Sequence, residues 1–83
     1  MGSKTFDGVR FQAYPGDHLP PHVHGFYAGI EVIVDLVDGE AKLSSRTDPI
    51  DPPNAKRSDV NHVLRTAAKN ANVLVELGRV ARG

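Results

Sequence analysis

The chain has 83 residues, a formal net charge of zero and no cysteine. This length predicts one domain over residues 1–83, with a thin core that self-association would help to stabilise. A net charge of zero argues against a protein that binds mainly by neutralising phosphates, although nucleic acid stays open as a partner. The sequence shows no apolar run of the roughly 18 residues that a membrane-spanning helix needs, and no secretion pattern at its start. With no cysteine to form disulfides, we expect a cytoplasmic protein without membrane contact.

The charges are unevenly distributed along the chain. Before Ala55 there are four basic and eight acidic residues, a balance of −4. From Ala55 onward there are six basic and two acidic residues, a balance of +4. Such a division of charge could serve attraction between the two halves of the fold or between two copies of the chain. It could also serve binding of an acidic partner or of nucleic acid. Of these, we expect complementarity within the fold or between two copies first.

Alternation of apolar and polar residues predicts about four antiparallel strands within residues 9–43. These strands cover residues 9–14, 23–27, 30–37 and 40–43. Asp7-Gly8 and Ala28-Gly29 mark turns, and Asp38-Gly39 is the strongest local signal for a tight type I′ hairpin. The pattern is typical of a β-meander.

Residues 44–53 are rich in proline and aspartate, which predicts a surface loop. From about residue 55 to residue 80, apolar residues recur at three- and four-residue spacing, which predicts one long C-terminal helix. The apolar stripe consists of Val60, Val63, Leu64, Ala67, Ala71, Leu74 and Leu77. Val73 and Val75 lie off the stripe, so the second half of the helix has a broad apolar surface that favours a dimer. The predicted fold class is α+β, an antiparallel meander of about four strands packed by this helix.

The residues most typical of a functional site lie within residues 17–24, which hold three of the four histidines and two adjacent prolines. In a strand, residues two apart share a face at about 6.6 to 6.8 Å, so His22 and His24 can present both imidazoles to one side, as zinc ligands do. An extended proline segment would hold His18 roughly 12 Å from His22, too far for one metal without a bend. His22 and His24 are therefore the candidate metal ligands, completed by Asp17, Glu31 or a second subunit. We expect no cofactor unless these histidines hold a transition metal.

Two other interpretations of this stretch need no metal. A histidine can act as general acid or base near neutral pH while an arginine stabilises a phosphate, as in small ribonucleases. The candidate catalytic residues are then His18, His22, His24 and Arg10. Alternatively, the prolines and histidines simply fix the connection between two strands, with ring nitrogens bonded to backbone carbonyls. A partner-binding surface, an enzyme or metal site, and a structural turn all remain open from the pattern.

The stretches 16–24 and 30–40 together resemble the small bacterial family catalogued as domain of unknown function 4160. Its His-x-Pro-Pro-His-x-His core is matched here, and the resemblance covers residues 8–43 well and residues 58–80 more weakly. The matching positions are His18, Pro20, Pro21, His22, His24, Glu31, Asp35 and Gly39. The chain departs from the family pattern in its longer, proline-richer segment 44–57 and at Gly78.

The resemblance implies a strand, a histidine turn, a sheet and a C-terminal helix. Members of the family often sit beside another small protein in an arrangement like a toxin–antitoxin pair, which implies a protein partner and an RNA or translation target. We therefore expect a homo-oligomeric protein-interaction module of such a pair. The alternatives are a small histidine-dependent or metal-dependent hydrolase that acts on RNA, and a structural oligomeric protein without a ligand.

Overall fold

Six β-strands and two α-helices make up the described part of the chain in a computed structural model, which covers residues 2–13 and 21–82, the last four by backbone alone. The strands are β1 (Gly2–Phe6), β2 (Val9–Ala13), β3 (His22–Tyr27), β4 (Ile30–Val37), β5 (Glu40–Leu43) and β6 (Ile50–Asp51). The helices are α1 (Arg57–Lys69) and α2 (Ala71–Arg82). Within these ranges, neither helix has the length and apolar character needed to span a membrane.

The strands form one antiparallel sheet in the order β1-β2-β3-β4-β5, and β6 pairs with β4. Two-residue turns at Asp7-Gly8, Ala28-Gly29 and Asp38-Gly39 join successive strands, and all six turn residues have positive φ angles between 49° and 79°. Positive φ at both central positions defines a type I′ turn, whose twist matches that of paired strands. The α+β class, the antiparallel meander and the predicted turns are therefore confirmed.

Both helices pack on one face of the sheet, where alternate residues of the strands form the core. β2 contributes Val9, Phe11 and Ala13, and β4 contributes Ile30, Val32, Val34 and Leu36. All seven residues of the predicted helical stripe are buried or partly buried, as expected. Gly25 lets α1 approach closely, because a Cβ at this position would lie 2.8 Å from Val63 Cγ1 and 3.1 Å from Phe11 Cε1.

The prediction of one long C-terminal helix is wrong, because the helical chain breaks at Asn70. In a continuous helix the Asn70 backbone N–H would bond the Thr66 carbonyl. Here the Asn70 side chain donates from Nδ2 to that carbonyl at 2.8 Å, and the backbone N–H donates to the Ala67 carbonyl at 3.2 Å instead. Asparagine side chains compete with the helix backbone in this way. Two helices, α1 and α2, therefore replace the predicted helix over about residues 55–80.

The expectation of about four strands is also corrected, because the sequence pattern missed β1 and β6. β1 pairs with β2 from Gly2↔Ala13 to Phe6↔Val9, but its polar composition gives no clear alternation. β6 lies inside the predicted loop 44–53 and pairs Ile50 with Val32. Pro49 has no N–H to give to the ladder, yet its carbonyl accepts the Ile33 N–H at 2.8 Å. A proline-rich segment can thus still contribute a short strand.

Candidate functional site

His22 and His24 lie side by side on the sheet face opposite the helices. The β3–β4 register sets His22 across from Asp35 and His24 across from Ile33. The two ring centroids are 5.3 Å apart, with the ring planes inclined at 57°. The prediction that these two side chains share a face is therefore confirmed. We call the cluster of His22, His24, Glu31, Asp35 and Arg46 the histidine face.

His22 is buried, with 6% of its surface exposed, and is bonded to an arginine. Arg46 Nη2 lies 3.0 Å from His22 Nδ1. A guanidinium group can only donate hydrogen bonds, so Nδ1 must supply the lone pair. The His22 ring is therefore neutral, and its one ring proton is on Nε2.

His24 has the opposite arrangement, because its partner is a carboxylate. Its Nδ1 lies 2.7 Å from Glu31 Oε2. An ionised carboxylate only accepts, so the proton of this bond is on His24 Nδ1. In the neutral ring the lone pair is then on Nε2. When His24 is neutral, the two neighbouring imidazoles are therefore in complementary tautomers, with a proton on Nε2 of His22 and a lone pair on Nε2 of His24.

Asp35 and the residues that follow β5 complete the histidine face. Asp35 is 7% exposed, and its Oδ2 accepts the Ser45 backbone N–H at 3.3 Å. Ser44 is also buried, and its Oγ accepts the Arg46 backbone N–H at 3.1 Å. The other Asp35 oxygen, Oδ1, is buried and has no hydrogen-bond partner among the described residues. The Ser45 contact holds the segment after β5 against β4, and the Arg46–His22 bond joins the same segment to the beginning of β3.

Arg10, the predicted phosphate-stabilising residue, lies on the same sheet face but on β2. Its Nη1 donates to Gln12 Oε1 at 2.7 Å, and its guanidinium carbon lies 4.6 Å from the centroid of the Phe26 ring. The arginine that bonds a histidine is Arg46, which the sequence analysis missed. A signal was available: the register of the Asp38-Gly39 hairpin sets Lys42 opposite Asp35 and so brings the next residues to this face.

The metal prediction for His22 and His24 stays a prediction. In residues 2–13 and 21–82, no group of three or more His, Cys, Asp or Glu side chains could hold a metal ion. A metal ligand must also offer a lone pair to the ion. The lone pair of His22 Nδ1 already accepts a hydrogen bond from Arg46. His18 and Asp17, the other residues considered for this site, lie outside the described residues.

A cleft of about 430 Å³ adjoins the histidine face at Glu31. Its lining includes the carboxylates of Glu31, Asp48 and Asp51, and none of the described residues that line it is basic. Since Glu31 bonds His24, the field beside this imidazole is negative on the cleft side. Such a cleft disfavours phosphates and other anions.

No protein-family model, no curated protein and no solved structure matches this chain. The resemblance to the domain of unknown function 4160 therefore stays a prediction. It depends on the histidine and proline positions quoted above, of which residues 21–24 are described. What the resemblance implies about activity and partners is carried forward only as a proposal.

Proposed function

We propose that the chain is a protein-interaction module, one member of a toxin–antitoxin-like pair of small cytoplasmic bacterial proteins. The supporting observation is that the large apolar side chains of Val37, Leu43, Val73 and Val75 are exposed near the two edges of the sheet. The first two belong to β4 and β5 at one edge of the sheet, and the other two belong to α2, which contacts β1 at the other edge. Single exposed aliphatic residues are ordinary, but apolar side chains beside an open strand edge are where chains associate.

In this proposal the histidine face supports the fold and the shape of the surface. His22 is buried against Arg46, and Asp35 holds the Ser45 backbone, so both side chains already stabilise the segment after β5. The acidic cleft beside Glu31 further disfavours an anionic substrate. The structural interpretation of the histidines is therefore the simpler one.

Homo-oligomerisation through α2 is part of the proposal. A core of this size gains stability from self-association, and Val75 offers an exposed apolar side chain on α2. The −4 and +4 halves of the chain give two copies complementary charges. Sedimentation at increasing protein concentration tests this part: a monomer at every concentration removes it.

The main experiment is co-expression with the product of the neighbouring gene, followed by purification through a tag on that product. We expect a stoichiometric complex that survives His24→Gln, because that change leaves both sheet edges intact. A thermal melt establishes that the variant is folded. Failure of the wild-type chain to form any complex, or loss of the complex in folded His24→Gln, contradicts the proposal.

A small histidine-dependent hydrolase of RNA is the second candidate, and the complementary tautomers of His22 and His24 favour it. His24 Nε2 would take the proton of a ribose 2′-hydroxyl as its oxygen attacks the neighbouring phosphorus. His22 Nε2–H would protonate the departing 5′-oxygen, which leaves a 2′,3′-cyclic phosphate and a 5′-hydroxyl. Glu31 would orient His24 and stabilise the imidazolium that forms.

Cleavage of a labelled single-stranded RNA separates the two candidates. If the wild-type chain cleaves the RNA and both His24→Gln and Glu31→Ala lose this activity while still melting cooperatively, the hydrolase becomes the better-supported candidate. The same reactions with chelator and with added zinc distinguish a metal-dependent enzyme from a metal-free one. If the chain neither cleaves RNA nor forms a complex, the remaining interpretation is a structural oligomeric protein without a ligand.

A further inference from the structure

β1 presents backbone hydrogen-bonding groups at an open edge of the sheet. Among the described residues it pairs only with β2. The two-residue type I′ turn at Asp7-Gly8 makes Phe6 and Val9 a hydrogen-bonded pair, and such pairs alternate with non-bonded ones along an antiparallel ladder. The N–H and C=O groups of Ser3 and Thr5 therefore point away from β2, toward any chain that lies along this edge.

An apolar groove runs beside this edge, between β1 and α2. It has a volume of about 460 Å³ and is lined by Lys4, Asn72, Val73, Glu76 and Leu77. Leu77 forms the floor against β1, because a Cβ on Gly2 would come within 2.6 Å of its Cδ1. Val73 forms one wall and is 40% exposed. The groove has the size and apolar lining to receive an aliphatic side chain.

The edge and the groove lie in register with each other. Lys4 lies opposite the buried Phe11, so its side chain is on the helix side of the sheet, and those of Ser3 and Thr5 are on the other side. A strand added to β1 would direct every second side chain to the helix side, next to Lys4 and into the groove. Backbone pairing and side-chain insertion can thus occur together.

We propose that this edge binds an extended segment of a different protein by strand addition, with an aliphatic side chain in the groove and an acidic side chain beside Lys4. This inference rests on the proposed interaction function and specifies its partner. The acidic preference follows from Lys4, which makes no ion pair within the described part of the chain. Extended segments recognised in this way gain affinity from the main chain and specificity from the pockets.

A second copy of this chain fits the same edge poorly. The antiparallel self-pairing that uses the outward groups of both Ser3 and Thr5 sets Lys4 directly opposite Lys4 of the other copy. Like charges directly opposite on one sheet face are destabilising. Lysine on an edge strand commonly protects against such self-pairing, and that role is compatible with an acidic partner.

The first test uses a random heptapeptide library displayed on phage, selected on the immobilised full chain. We expect enrichment of peptides in which an aliphatic and an acidic residue stand two positions apart. Lys4→Glu should reverse the charge preference, whereas Lys42→Glu on β5 should leave it unchanged. The inference is overturned if no sequence pattern is enriched, or if the enriched pattern is the same on wild type and on Lys4→Glu.

Binding of one selected peptide is then measured on single variants. Val73→Asp should weaken it at least about tenfold, since a charge would enter an apolar groove, while Leu43→Asp, equally exposed at 40% on the other edge, should not. Thr5→Pro removes an outward N–H without breaking the β1–β2 ladder, so it should abolish binding in a chain that still melts cooperatively. Binding unchanged by both Val73→Asp and Thr5→Pro overturns the strand-addition mode.

The same variants separate this inference from the proposed function. If Val73→Asp and Thr5→Pro both leave the complex with the neighbouring-gene product intact, the chain is still an interaction module. The β1 edge is then not the site at which it binds that product. Dissociation of a homodimer by both Val73→Asp and Thr5→Pro shows that the occupant of this edge is a second copy, which also overturns the inference. Loss of the hetero-complex in both variants, with the exposed-site control Thr47→Asp unaffected, supports it.

Discussion

Arg46 donates a hydrogen bond from Nη2 to His22 Nδ1 at 3.0 Å, although 24 positions separate the two residues in the chain. The contact joins the segment after β5 to the first residue of β3. It also sets the tautomer of a buried imidazole, because only a ring nitrogen with a lone pair can accept from a guanidinium. The fold and the chemistry of the histidine face therefore depend on the same contact.

Replacing Arg46 should destabilise the fold. Arg46→Leu leaves the buried His22 Nδ1 without this donor, so we expect the free energy of unfolding to fall by about 1–3 kcal/mol. Urea denaturation measures the change. Arg57→Leu, at an exposed position on α1, is the matched control and should stay within about 0.5 kcal/mol of wild type. Equal effects of the two substitutions would show that the His22 contact contributes nothing.

The two tautomers can be observed directly. Long-range ¹⁵N–¹H correlation spectra of the imidazoles should show the proton on Nε2 of neutral His22 and on Nδ1 of neutral His24. Glu31→Ala removes the acceptor of the His24 bond, so the His24 ring should then populate both tautomers. Glu40→Ala, whose carboxylate pairs with Lys42 on the exposed β5, should change neither ring. The same tautomer in both wild-type rings would remove the acid and base roles assigned to the hydrolase candidate.

Gly25 should not tolerate a side chain. Gly25→Ala places a methyl group 2.8 Å from Val63 Cγ1, and overpacking of this kind costs about 1–3 kcal/mol. The paired variant Gly25→Ala/Val63→Ala should lose less stability than the sum of the two single changes, because the second change makes room for the first. Thermal or urea unfolding of the four proteins measures the coupling. Simple additivity would mean that α1 moves away from the sheet without hindrance.

The break between α1 and α2 should depend on Asn70. Asn70→Ala removes the side-chain donor to the Thr66 carbonyl, and packing of α2 on the sheet prevents the backbone from straightening to replace it. We expect a loss of about 1 kcal/mol, the usual size of one such hydrogen bond. Urea unfolding and amide hydrogen exchange at residues 70–74 provide the measurement. An increase in stability would show that the sheet accepts a continuous helix.

The central strands were predictable because burial of one sheet face imposes strict alternation. Both β4 and β5 have the bounds expected from the sequence, and Asp38-Gly39 sets the register that pairs Asp35 with Lys42. The position of His22 and His24 on one face follows from the same two-residue period. These features depend only on residues close together in the chain.

The missed features depend on contacts between distant segments. Arg46 reaches His22 only after the hairpin has formed, and the polar strand β1 is recognisable only beside β2. His62 lies off the helical apolar stripe, yet its Nε2 donates to the Asp7 carbonyl at 2.9 Å and its ring centroid lies 4.5 Å from that of Tyr27, with the planes inclined at 37°. Periodicity within one element contains no information about these partners.

The order of the elements along the chain also sets how the molecule assembles during synthesis. In the order β1-β2-β3-β4-β5 each strand pairs with its neighbours in sequence, and three of the connections are two residues long, so these five strands can form a sheet from local contacts before β6 joins β4. The residues that cover its apolar face, from Val60 to Leu77, are made afterwards. A nascent chain that has completed the meander therefore exposes a finished apolar surface until both helices have left the ribosome, and this interval is when it is most prone to aggregate.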